Sequence, residues 1–157
     1  MKIFVFLVFV CSSQICLGVK DCIHEKNAFR CVQFIKNYDA DTITVEIPNI
    51  HPLLGHLAKI RVAHIDTPEL RTKNKCEKEL AKKARDFVRK KLLLAKRIDL
   101  INITKGKYFR IVSDVIIDGE NLGDILMNKG FAYSYEGGKK KKLDWCEVKR
   151  KIAGIND

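Results

Sequence analysis

The chain has 157 residues, enough for one domain with an ordinary core, and it shows neither an internal repeat nor a second domain. Its 30 Lys and Arg outnumber 19 Asp and Glu, for a formal net charge of +11. Such a balance points to a polyanionic partner (nucleic acid, an anionic membrane surface or an acidic polysaccharide) and by itself does not choose among them.

The first segment reads as an export signal. Lys2 gives the positive start, Ile3 to Val10 is a continuous apolar run, and Cys16-Leu17-Gly18 places small residues at the usual cleavage spacing. An apolar run this short does not span a bilayer as a helix. Bulky Val10 and Ile15 before Cys11 and Cys16 argue against a lipid-modified cysteine. The expected domains are therefore a signal peptide at 1–18 and a single domain at 19–157, exported to the periplasm or the medium. No stable membrane association is expected after signal removal.

Export changes how the cysteines read. The mature chain keeps Cys22, Cys31, Cys76 and Cys146, which suits two disulfides with three possible pairings. Sequence proximity favours Cys22–Cys31 and leaves Cys76–Cys146 to close a loop of about 70 residues. The spacing does not suit zinc, which takes close Cys-x-x-Cys pairs.

From Cys31 to Ile47 the pattern is β, with Ile43, Val45 and Ile47 alternating with Thr42, Thr44 and Glu46. Asn37 to Asp41 forms the intervening hairpin turn. A loop is expected over Pro48–Gly55, then a strand over Ile60–Ile65 that Thr67-Pro68 stops. Within that strand His64 reads as a packed histidine. Residues 77 to 95 give the clearest helix, with Leu80, Ala84, Phe87, Val88 and Leu92 at helical spacing. Strands follow near Arg97–Ile103 and Arg110–Ile117, with Lys105-Gly106 and Asp118-Gly119 as turn signals. Asn121 caps a short helix that Gly130 ends, and Phe131–Tyr135 is a last extended piece. The lysine run 139–142 reads as a solvated loop able to touch backbone phosphates, and a brief polar tail closes the chain. Five short strands with one main helix after the third predict an α+β fold, a small closed β-barrel with packed helices.

Three groups of residues carry chemistry. Asp41 follows a hairpin turn and Asp66 ends a strand; two carboxylates with a backbone carbonyl and waters suit a hard cation such as calcium. Asp39 could add a further acidic group. Glu69, near a metal and a phosphate, could take a proton from an attacking water. Arg61 and Arg110 supply guanidinium forks that match non-bridging phosphate oxygens in pairs. Taken singly, each has an ordinary alternative: aspartates favour turns, and arginines populate the surface of a basic chain. Tyr108, Tyr133 and Tyr135 could line a base-stacking pocket. Trp145 reads as part of a small end cluster.

Together these residues make three motifs: Asp-x-Asp-Thr (Asp39, Asp41, Thr42), Arg-x4-Asp-Thr-Pro-Glu (Arg61, Asp66, Thr67, Pro68, Glu69) and Lys-Tyr-x-Arg (Lys107, Tyr108, Arg110). From about Val32 to Tyr135 the chain resembles the staphylococcal nuclease, or thermonuclease-type, family, whose fold is a five-stranded OB-fold barrel. The helix from Cys76 and the Tyr135-Glu-Gly-Gly ending before Trp145-Cys146 resemble an exported bacterial branch of it. The resemblance implies calcium held by the carboxylates of Asp41 and Asp66 and the backbone carbonyl of Thr67. It implies Glu69 as general base or water-orienting group and Arg61 and Arg110 on the scissile phosphate. Lys107 and Tyr108 match positions that contact a terminal nucleotide phosphate, and Tyr135 joins them as a substrate-binding residue. The implied reaction is hydrolysis of the 5′ P–O bond of DNA or RNA, leaving 3′-phosphate ends; because the sequence shows no association motif, a monomer is expected. The competing expectation is a non-catalytic OB-fold module that binds nucleic acid; survival of all five acids and arginines argues against it. Four departures from the family stand out: Ala40 in place of a common glycine, which implies a backbone that avoids positive φ; Phe109 before Arg110; the insertion Asn49–Ala58; and a tail after Cys146 too short for a full last helix.

Overall fold

The computed structural model describes residues 22–106, 110–140 and 142–155. Its elements in chain order are β1 (Ala28–Phe29), β2 (Gln33–Asn37), β3 (Thr42–Glu46), α1 (Pro52–Gly55), β4 (Ala58–Val62) and β5 (Ile65–Asp66). There follow α2 (Lys75–Leu94), β6 (Ile98–Lys105), β7 (Ile111–Ile117), β8 (Glu120–Asn121), α3 (Leu122–Asn128), β9 (Tyr133–Ser134) and α4 (Trp145–Ile155).

The alternating β-branched residues of 31–47 fold as the expected antiparallel hairpin of β2 and β3. A bulge between Phe34 and Lys36 adds twist. At its turn, the Asn37 side chain donates to Asp39 O (2.9 Å) and to Arg85 O of α2 (3.0 Å), fixing the loop against the helix. Ala40 is buried and stays out of the left-handed region, as its replacement of glycine implies.

β4 pairs β3 antiparallel on one side and β7 parallel on the other. A parallel pair needs a long crossover, and α2 provides it. Asn74 caps α2 by accepting from Glu77 N (3.1 Å), and the helix buries Leu80, Ala81, Ala84, Val88 and Leu92 along one face. Of these, Ala84, Val88 and Leu92 meet Ile43, Ile60, Leu100, Val115, Ile117, Leu122 and Leu126 in one core. Asn121 caps α3, and Gly130, at φ 69°, takes the left-handed conformation that ends it.

The architecture is α+β, with the strand order β1-β6-β7-β4-β3-β2, β8 attached to β7, and β5 paired with β9 in a separate two-stranded sheet. The five longer strands β2-β3-β4-β7-β6 are those of the expected barrel. The expected closure is not made by a strand ladder, because β1 and β2 end the order. From the β2 side, Val32 N donates to Ile98 O at the start of β6 (2.9 Å), so the barrel is partly open, as OB folds are.

Three expectations need correction. The strand expected over Ile60–Ile65 breaks after Val62: His64 sits in a turn at φ 59°, its side chain 61% exposed and bonded to Glu136 (2.8 Å). That bond holds the imidazole pKa above its ordinary value, against a smaller effect of burial. The loop over 48–55 contains the short helix α1. The tail after Cys146 does form a helix, α4, because Asp144 caps it by accepting from Cys146 N (2.9 Å) and Glu147 N (3.2 Å).

The disulfides are Cys22–Cys31 and Cys76–Cys146, the pairing favoured by proximity. The second joins the first turns of α2 and α4. Its sequence separation is 70 against 9 for the first, so it removes more freedom from the unfolded chain. Replacing Cys76 and Cys146 by serine is expected to cost about 4 kcal/mol, against about 3 kcal/mol for the Cys22 and Cys31 pair. Urea unfolding of the two double variants checks both the sizes and the ranking.

Candidate active site

The β3–β4 register places Arg61 opposite Thr42, one residue from the hairpin turn, and Val62 N donates to Asp41 O (2.9 Å). From there the Arg61 guanidinium forms ion pairs with the carboxylates of Asp41 and Asp66, the latter at 3.1 Å. It also donates to the backbone oxygen of Ile65 (3.0 Å). Asp41, Asp66 and Thr67 are all buried. The Thr42 hydroxyl donates to Asp41 Oδ1 (3.1 Å) and the Thr67 hydroxyl to Asp41 Oδ2 (2.8 Å). Pairing of β5 with β9 brings Tyr133 to Asp66, where its hydroxyl donates to Oδ2 (2.7 Å).

Glu69 lies beyond Pro68 at the mouth of this cluster, with its side chain 54% exposed. Its backbone N–H donates to Glu77 Oε1 (3.2 Å), and Thr72 Oγ1 donates to the other oxygen of Glu77 (2.6 Å). The loop is thereby tied to the first turn of α2. Lys140 reaches in from the glycine-rich segment after β9 and pairs with both Glu69 Oε1 (2.6 Å) and Asp66 Oδ1 (3.0 Å). Burial works against the charge of Lys140, but hydrogen bonds and charge from Glu69 and Asp66 outweigh it and hold its pKa above the ordinary lysine value.

Asp39 is the remaining acid. Its carboxyl is pushed up to about 7, first by burial and then by the negative charge of Asp41. Among the described residues its Oδ1 is buried and has no hydrogen-bond partner.

Arg110 stands immediately before β7. Because Val112 is the parallel partner of Arg61, Arg110 shares its face of the sheet two residues earlier. Among the described residues its buried Nε has no hydrogen-bond partner, and the guanidinium makes no hydrogen bond or ion pair with the carboxylates. Beside Arg61 a cleft of about 440 Å³ opens, lined by Thr104, Val112, Tyr135 and Glu136. The Tyr135 hydroxyl is turned to Gly138 O (2.8 Å). Lys107 and Tyr108 lie outside the described residues.

Five predicted site residues, Asp41, Arg61, Asp66, Thr67 and Glu69, thus come together, with Tyr135 in the cleft beside Arg61 and Arg110 on the same sheet face without a contact to the carboxylates among the described residues. Among the described residues no group of three or more His, Cys, Asp or Glu is gathered in the manner of a metal site. The donor set is nonetheless of the right kind for a hard cation: two buried carboxylates that share one guanidinium, and the unpartnered Asp39 Oδ1 beside them. Two participants escaped sequence reasoning. Tyr133 reads in sequence as a stacking residue but bonds Asp66. Lys140 is one of four consecutive lysines, and nothing in the run marks which one turns inward. Trp145 is buried and packs on Tyr133 (6.2 Å between centroids), in the end cluster that its position suggested.

No curated protein matches the chain. A family described as staphylococcal nuclease homologue matches residues 59–151, a span that holds Arg61, Asp66, Glu69, Arg110, Tyr133 and Lys140. That is more than half of the chain, and with an OB-type α+β fold behind the site, the chain belongs to the staphylococcal nuclease homologue family.

Proposed function

We propose that the protein is a calcium-dependent nuclease that hydrolyses DNA, RNA or both at the 5′ P–O bond and leaves 3′-phosphate ends. The observation that carries this reading is the Arg61 guanidinium shared by two buried carboxylates, Asp41 and Asp66, with Glu69 at the mouth of the same cluster. The carboxylates of Asp41 and Asp66 and the backbone carbonyl of Thr67 would hold calcium. When bound, calcium supplies positive charge against the scissile phosphate and an acidified water.

The chain's own groups have distinct tasks in this mechanism. Glu69, exposed enough to meet solvent, orients the attacking water and accepts its proton. Arg61 and Arg110 offer forks to the non-bridging oxygens, whose negative charge grows as the water attacks. Thr42, Thr67 and Tyr133 keep the two aspartates in place through the hydrogen bonds described above. Tyr135 contacts the rest of the nucleotide along the cleft, and Lys107 and Tyr108 are assigned to its terminal phosphate. The excess of basic residues draws in the polyanion without sequence preference.

We further propose an exported monomer with its signal at 1–18. Two disulfides support an oxidising destination, the periplasm or the medium. No helix among the described residues is long and apolar enough to cross a membrane.

Hydrolysis of single- and double-stranded DNA and of RNA by the purified oxidised chain tests the assignment. Cutting is expected with calcium and is lost to a chelator, and Glu69→Gln is expected to lower kcat about 100-fold or more while nucleic acid still binds. Binding with no cutting by the folded wild type under any divalent ion would instead establish a non-catalytic module. A second outcome concerns folding: Arg61→Met leaves two buried carboxylates without their shared cation and is expected to cost about 3 kcal/mol, read by urea unfolding at neutral pH.

A further inference from the structure

Arg61 and Lys140 both bind Asp66 Oδ1, but they are built differently. Arg61 belongs to β4, and its side chain is 16% exposed. Lys140 is 49% exposed and hangs on the segment between β9 and α4. That segment turns back through Gly137 and Gly138, at φ 97° and 82°, conformations that strain any residue with a Cβ. Tyr135 closes the turn on Gly138 O. At its far end Trp145 is buried, and Cys146 is bonded to Cys76 in the first turn of α2, next to the Glu77 that receives the Glu69 backbone. The ammonium is thus aimed at Asp66 and Glu69 by anchors on both sides, while its side chain keeps an open path to solvent.

We infer that Lys140 is a tethered competitor for the divalent cation, its ammonium occupying Asp66 and Glu69 until the ion displaces it to the rim of the cleft. The inference rests on the reading of Asp66 as a calcium ligand. Asp66 Oδ1 already carries two cations, so a divalent ion at the same carboxylate adds repulsion, and the half-exposed ammonium, whose water-accessible ion pairs are weak, is the group that leaves. Arg61, held by Asp41 and by the Ile65 carbonyl as well, stays. The apparent calcium affinity is then the intrinsic affinity reduced by the fraction of molecules in which Lys140 is in place. Displacement also leaves a positive charge at the rim, where a polyanionic substrate must pass.

The test is calorimetric titration of calcium, without substrate, into the oxidised wild type, Lys140→Met and Lys140→Arg. Circular dichroism and the thermal midpoint check that each variant is folded. Lys140→Met is expected to bind calcium about three- to tenfold more tightly than wild type. Lys140→Arg, which keeps the charge, is expected to stay within about twofold of wild type. A folded Lys140→Met that binds calcium no more tightly than wild type overturns the inference and leaves the nuclease reading intact. A wild type that binds no calcium overturns the metal assignment and the inference with it.

Discussion

The organising constraint of this protein is electrostatic: two aspartates that are almost fully buried need positive partners, and one guanidinium is paired with both, with Lys140 adding a second cation at Asp66. Neither carboxylate could be taken from water alone, since an unpaired buried charge costs several kcal/mol. Arg61 therefore ties together three separate pieces of chain: the hairpin turn that carries Asp41, its own strand β4, and the short strand β5 that ends in Asp66. The backbone follows the same logic. Val62 N on Asp41 O fixes the turn to β4, and the break at His64 lets β5 leave the main sheet and pair with β9. Without that break Tyr133 would not reach Asp66.

The helix α2 sets the second half of the arrangement. As the crossover between the parallel strands β4 and β7 it places Arg61 and Arg110 on one face of the sheet. Its capped first turn holds the loop that carries Glu69 through Glu77, and its first disulfide-bonded turn carries α4. One amphipathic helix thus serves the core along its length and the site at its N-terminal end.

Much of this is legible in the sequence, for identifiable reasons. The hairpin and the body of α2 depend on local periodicity, and the start of α3 on the single side chain of Asn121; the first two residues of α2 and its Asn74 cap fall outside the helix expected from that periodicity. The cysteine pairing follows proximity along the chain. What stays hidden is tertiary. Two-residue strands such as β1, β5, β8 and β9 exist only because a partner lies beside them, and they leave no periodic trace. The helix α4 starts at the Asp144 cap and is held on α2 by the Cys146 bond, a tertiary link that its own short sequence does not announce. The same limit applies at the site: Asp41, Arg61, Asp66 and Glu69 announce themselves by spacing. Lys140 does not, because four lysines in a row have no phase.

The disulfide between Cys76 and Cys146 has a further consequence when viewed as a tether. The segment from β9 to α4 is short and pinned at both ends, so the Lys140 ammonium experiences a high effective concentration of Asp66 and Glu69 carboxylate. Reduction releases one pin covalently while leaving the other, and the same ammonium then searches a larger volume. The bond is thus a spacer as well as a staple, limiting how far the backbone behind Lys140 strays from the two carboxylates.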